Sequence, residues 1–207
     1  MKNRCFIIVS AAFSLLSISL CATDEEFSSY YSPDTGMQAQ AVQEKNHFSY
    51  GPCPRVAQLL ATSFYHQAVE SLPIMCVDIF VVDLATNRYL LVYRKNRPAK
   101  GTFWVPGGRI LKGESFFESA ERKCCQELGI QIIPHEVVGI YNLIFPDSEW
   151  ETATHTPAVV VLATYDPQEG SVSLDELHAD FRWVSLFEPN TIDYIEDIRQ
   201  KVLKLLG

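Results

Sequence analysis

The sequence is short of positive charge: 17 Lys and Arg stand against 25 Asp and Glu, a formal net charge of −8. General nucleic-acid binding needs a basic footprint, so that balance argues against it. Local arginines can still hold a phosphorylated ligand. Paired cysteine spacing is also absent. None of the six cysteines forms a Cys-x-x-Cys pair, so no zinc site is indicated. Cys53, Cys76, Cys124 and Cys125 read as small apolar residues, export leaving room for one disulfide at Cys53. There is no internal repeat and no low-complexity block. At 47% hydrophobic and 20% charged residues, the composition is that of a globular domain rather than a disordered or multi-span membrane chain. The 207 residues suffice for one domain with an extension.

A long uncharged run occurs at the start. Lys2 and Arg4 precede Cys5–Ala22, which carries no charge, and Thr23-Asp24-Glu25-Glu26 comes next. This is the layout of a secretory signal peptide cleaved after Ala22, with export to the periplasm or beyond. The rival readings are an uncleaved anchor, which would be the chain's membrane contact, and an over-extended start on a cytoplasmic protein. Residues 23–53 are polar, with Pro and Gly punctuation, and read as a disordered tether. The domain is expected over 54–207. It opens with a helix over 55–71 whose Val56, Leu59, Leu60, Phe64 and Val69 are candidates for burial.

The rest predicts an α/β fold, a mixed β-sheet sandwiched between α-helices. Strands are expected over 74–83, 89–94, 103–105, 136–145, 157–165 and 180–184. Ser115 with Glu118 three residues on is a capping-box signature. The helix it opens carries Phe117, Ala120, Cys124 and Leu128 on one apolar stripe and stops at Gly129. A closing helix from Asn190 would bury Ile195, Ile198, Val202 and Leu205.

The chemistry lies between the third strand and that first capped helix. Gly108 is followed six residues later by Glu114, then by Arg122-Lys-Cys-Cys-Gln-Glu-Leu-Gly-Ile130. Gly107 and Gly108 allow a tight bend and close backbone approach to a phosphate or metal. Positions 123, 126 and 127 share a wedge of about 100° on a helix of about 3.6 residues per turn. This run resembles the Nudix box, matching at Gly108, Glu114, Arg122, Glu127, Gly129 and Ile130. Lys123 and Gln126 stand where that pattern has glutamates, so one carboxylate of the wedge survives.

Asn96-Arg97-Pro98-Ala99, Trp104–Arg109 and Asp175–Trp183 extend the likeness. Together they are similar to the GDP-mannose mannosyl hydrolase branch of the Nudix hydrolases, which also lacks those two glutamates. The resemblance implies a Nudix fold and water attack on the anomeric carbon of a nucleoside diphosphate sugar. It also implies a homodimer. By the same resemblance, Glu127 and the Gly107 carbonyl would hold Mg²⁺ or Mn²⁺. Arg109 and Arg122 would neutralise the leaving diphosphate, and Arg94 or Arg97 would contact phosphate or sugar. Asp78 would bind sugar hydroxyls or pair with an arginine, and His178 would act as general base. Leu177 departs from the branch, which has a metal-ligating glutamine there; Glu176 or water would substitute.

Plainer readings stand beside these. Arg122 paired with Glu114 would brace the loop, and Arg94 and Arg97 would be solvated strand-end charges. Two further functions remain open: a Nudix pyrophosphohydrolase with Glu176 or Glu127 as base, and a degenerate nucleotide-binding module without catalysis.

Overall fold

A computed structural model describes residues 53, 61–146, 148 and 152–206. Apart from Cys53, the expected leader and tether lie outside the described residues, as do Val56, Leu59 and Leu60 of the expected first helix. The described elements are α1 (Thr62–Ser71), β1 (Cys76–Asp83), β2 (Arg88–Arg94), β3 (Phe103–Trp104), β4 (Gly107–Arg109), α2 (Phe116–Leu128), β5 (Ile133–Phe145), β6 (Thr154–Thr164), β7 (His178–Ser185) and α3 (Asp193–Leu206). Among the described residues no helix is long and apolar enough to cross a membrane.

The strands form one mixed sheet in the order β3-β2-β1-β6-β5, with β4 added to β1 and β7 to β2. β1 and β6 run parallel, from Cys76 opposite Ala158 to Val82 opposite Thr164. Every other pairing is antiparallel. β1 is buried from Val77 to Asp83, which is why its sequence is a β-branched run without polar alternation. Its side chains divide by the strand period of two. Val77, Ile79 and Val81 pack with Phe117, Ala120 and Cys124 of α2. Phe80 and Val82 pack with Ile195, Ile198 and Val202 of α3. The expected sandwich of helix, sheet and helix is the observed one.

One edge of β1 is shared between two partners. Cys76–Asp78 pairs with β4, whereas Val82 and Asp83 pair with β2. Between them the Ile79 amide donates to the Pro106 carbonyl at 2.9 Å. β2 and β4 therefore share one edge of β1, and Asp78 and Trp104 meet there beside Gly107.

Several expectations need correction. Gly107–Arg109 is a short strand and not a free bend, because its backbone completes the ladder along β1. Phe64 is 65% exposed and Leu205 is 48% exposed, so the apolar stripes of α1 and α3 are narrower than their sequences suggest. Cys125 is disulfide-bonded, whereas Cys53, Cys76 and Cys124 are free thiols.

Candidate active site

α2 begins as its sequence prescribes. The Ser115 side chain accepts from the Glu118 amide while the Glu118 carboxylate accepts from the Ser115 amide, so both halves of the capping box form. Gly129 ends the helix in the left-handed conformation at φ 64°, which an L side chain rarely adopts. The incoming chain of β7 then zips onto the helix end: the Ser173 amide donates to Leu128 O at 2.7 Å and the Asp175 amide to Glu127 O at 3.0 Å. These two bonds fix Asp175, and the strand that starts three residues later, relative to the glutamate of α2.

Glu127 is 4% exposed. One carboxylate oxygen accepts from the Gly107 amide at 3.3 Å, and the other is ion-paired with Lys123 one turn back. Gly107 cannot carry a side chain, since a Cβ there would lie 2.6 Å from Asp78 Oδ1 and on top of the Val77 carbonyl oxygen. At Gly108 the corresponding space is taken by Lys123, whose Nζ would be 3.0 Å away. The two glycines thus admit Asp78 from one face of β4 and Lys123 from the other.

Arg122 ties the loop to its own helix. Its guanidinium ion-pairs with Glu114 and reaches Arg109 O at 2.9 Å, Ser119 Oγ at 3.2 Å and Gln126 Oε1 at 3.1 Å. Glu114 in turn accepts from the Leu111 amide at 2.8 Å. This is the bracing arrangement of the plainer reading. Arg109 is exposed on β4, with its guanidinium carbon 3.3 Å from the centroid of the Tyr65 ring of α1. Burial of that guanidinium end lowers its pKa from the ordinary arginine value.

Asp78 pairs with aromatic donors and not with an arginine. Its carboxylate accepts from the Tyr194 hydroxyl at 2.7 Å and from the Trp104 side chain. Burial pushes its carboxyl up to about 6, in spite of those two hydrogen bonds and the nearby Arg94 charge; Glu127 adds to the rise. Trp104 stacks on Tyr194 at 5.1 Å, and Phe145 and Tyr141 meet this pair edge-on. An aromatic wall therefore stands over the carboxylate. Burial, then the Asp78 charge, push the neighbouring Cys76 thiol up to about 12, so it is no nucleophile at neutral pH.

His178, expected on a loop, is the first residue of β7 and only 5% exposed. It pairs with Arg94, while Asp180 pairs with Tyr93, so Ala179 is an extra residue and the strand bulges beside the histidine. Bulges re-aim side chains and are frequent next to active sites. His178 Nδ1 lies 2.7 Å from Asp175 Oδ1, which also accepts from the Leu177 amide at 3.0 Å. A carboxylate on Nδ1–H fixes the tautomer with Nε2 as the basic nitrogen. Arg94 donates through Nε to Pro98 O at 2.9 Å. Arg97 and Glu176 are exposed, and Leu177 is 42% exposed.

The structure thus sets Asp78, Glu127 and Arg94 near one another beside Gly107 and Gly108, and ties His178 to them through Arg94 and the α2 end. Sequence reasoning missed Tyr194, Lys123 as a partner of Glu127, and Asp175 as the orienter of His178. Asp175 was legible, three residues before the histidine. Tyr194 was not, being 116 residues from Asp78.

Residues 73–206 match the NUDIX domain family; the chain belongs to that family. Among curated relatives, the low-salt glycan biosynthesis protein Agl8 of Haloferax volcanii is 27% identical over 58% of this chain and 74% of its own length. The NAD-capped RNA hydrolase NudC of Haemophilus influenzae is 27% identical over 70% of this chain, which spans 54% of that relative. The ADP-ribose pyrophosphatase of Methanocaldococcus jannaschii is 28% identical over 57% of this chain and 64% of its own length. The crystal structure of the MutT protein from Methanosarcina mazei superposes with a TM-score of 0.53 at 22% identity, covering 65% of this chain and 96% of that one. The last likeness speaks to the fold alone.

Nudix hydrolases generally use a divalent metal such as Mg²⁺. With Glu127 the one carboxylate left in the α2 wedge, the residues here do not fit an ion held by protein carboxylates alone. Both oxygens of Glu127 are engaged, one by an ammonium, and the Gly107 group that meets Glu127 is its amide. Among the described residues no group of three or more His, Cys, Asp and Glu converges on one point. Magnesium takes oxygen ligands and is satisfied by one or two carboxylates only when substrate phosphates and water complete its shell.

Proposed function

We propose that this chain hydrolyses a nucleoside diphosphate sugar, GDP-mannose or a relative, by water attack at the anomeric carbon. Mg²⁺ or Mn²⁺ enters as part of the metal–nucleotide substrate. The Asp175–His178 pair carries the reading. Its Nδ1–H held by a carboxylate leaves Nε2 to take a proton from water, and the α2 end and Arg94 hold the pair near Glu127. Bond formation from water oxygen to the anomeric carbon breaks that carbon's bond to the diphosphate, which departs toward Arg109 and Arg94. Asp78 and its aromatic wall would offer the ligand a polar partner and a flat surface for a ring or sugar face.

Hydrolysis in ¹⁸O-water tests the bond broken. Label is expected in the released sugar, with nucleoside diphosphate as co-product. His178→Asn is expected to lower kcat by about 10²–10⁴-fold with the unfolding midpoint preserved. Label on phosphate, with nucleoside monophosphate formed, would establish the second reading, splitting of the diphosphate. That reading draws support from the relatives named as a pyrophosphatase and a capped-RNA hydrolase. Export of the mature chain is proposed from Met1–Ala22 alone; an intact Met1 in the mass of the purified native protein would end it.

A further inference from the structure

Lys123 occupies the position at which the motif has a glutamate, and its surroundings set it apart from a solvated helix charge. Its side chain is 16% exposed, its ammonium is ion-paired with a Glu127 side chain that is 6% exposed, and it lies against Gly108. An exposed Lys–Glu pair one turn apart contributes little and is loosely held. This one is packed against the glycine strand at Gly108. The same Glu127 carboxylate accepts from the Gly107 amide, so ammonium, carboxylate and glycine backbone form one fixed unit. The charge of the carboxylate is already answered. A divalent ion binding there would have to displace the ammonium or be held beside it, with the two cations repelling each other.

We propose that Lys123 Nζ is the resident cation of the diphosphate site, so that a nucleoside diphosphate binds without a divalent ion held by the protein. This rests on the reading of the ligand as a nucleoside diphosphate compound, but not on which of its bonds is cleaved. An ammonium has three donors; the Glu127 pair uses one, which leaves two for a phosphate oxygen brought against the Gly107–Gly108 backbone beside it. A lysine binds phosphate as a point charge and supplies one positive charge where a carboxylate-held Mg²⁺ would supply two. The substitution of glutamate by lysine thus changes the sign of the site's fixed charge. It explains how a helix face with a single acid can serve an anionic ligand.

Isothermal titration with GDP, in EDTA and again in Mg²⁺, tests this without turnover. The full chain is expected to bind GDP in EDTA within about threefold of its affinity in Mg²⁺. Lys123→Gln is expected to weaken the EDTA affinity by about tenfold or more, the scale of a lost charge-assisted hydrogen bond. Lys123→Arg should retain most of it. Lys123→Glu should make GDP binding depend on Mg²⁺ and should create a tight Mn²⁺ site, visible as loss of the free-ion paramagnetic resonance signal without nucleotide.

GDP binding by the unaltered chain only in Mg²⁺, or tight Mn²⁺ capture by it without nucleotide, would overturn the proposal while leaving the substrate reading intact. So would an unchanged EDTA affinity in Lys123→Gln. No GDP binding in either buffer would overturn the substrate reading and the proposal together. Should Lys123→Gln fail to fold by circular dichroism, the two measurements on the unaltered chain still decide.

Discussion

At the scale of single residues, Asp78 shows how the fold stores a cost at the site. A carboxylate with two good donors should titrate low, yet burial outweighs both and lifts it from 3.8 to about 6. A folded-state value above the unfolded one means that the native protein binds the proton more tightly than the unfolded chain does. The stabilisation linked to that proton is complete below the unfolded value near pH 4 and is lost as pH rises through about 6. The loss is on the order of 3 kcal/mol. Urea unfolding of the native chain and of Asp78→Asn at pH 4 and pH 7 measures it. The native chain should lose that amount relative to the variant across the interval, and parallel pH profiles would refute the assignment. Tyr194 and Trp104 were invisible as partners of Asp78 in the sequence, because the side chains meet only once α3 closes over the sheet.

At the scale of elements, α2 and the loop before it behave as one part. The capping box, the Gly129 stop and the apolar stripe were all legible, since each depends on spacing within about one or two turns. The Arg122–Glu114 pair was legible too, but its extent was not. The structure adds Arg109 O, Ser119 and Gln126 to the same guanidinium. Arg122→Ala is therefore expected to cost about 2–3 kcal/mol in unfolding free energy by leaving buried Glu114 unpaired. The Leu111 amide should also exchange faster with solvent. A variant with an unchanged unfolding midpoint and collapsed turnover would instead restore a direct catalytic role for this arginine. The Gly107–Arg109 strand was not legible, because its pairing partner lies some thirty positions earlier and so short a segment carries no periodicity.

At the scale of the whole molecule, β1 holds the two halves together. Phe80 is fully buried, stacks on Tyr89 at 4.7 Å and belongs to the core under α3. Phe80→Ala should cost about 3–5 kcal/mol in denaturant unfolding, with an unchanged slope if the sheet still unfolds as one unit. β2 and β4 both pair with one edge of this strand, so the placement of Asp78 beside the glycine pair belongs to the sheet and to no single motif.

The order of strands and helices, the capped helix, the glycine pair and the surviving glutamate were settled by the sequence itself. These depend on local periodicity, capping chemistry and backbone sterics, all carried by neighbouring residues. Tertiary structure alone decided which charges meet. It joined Asp78 to Tyr194, set Lys123 on Glu127 under Gly108, committed Arg122 to the loop, and buried His178 beside a bulge. Those outcomes depend on burial and on contacts between segments far apart in the chain, and the energy of a charge is set by the surroundings that only the folded sheet and helices provide.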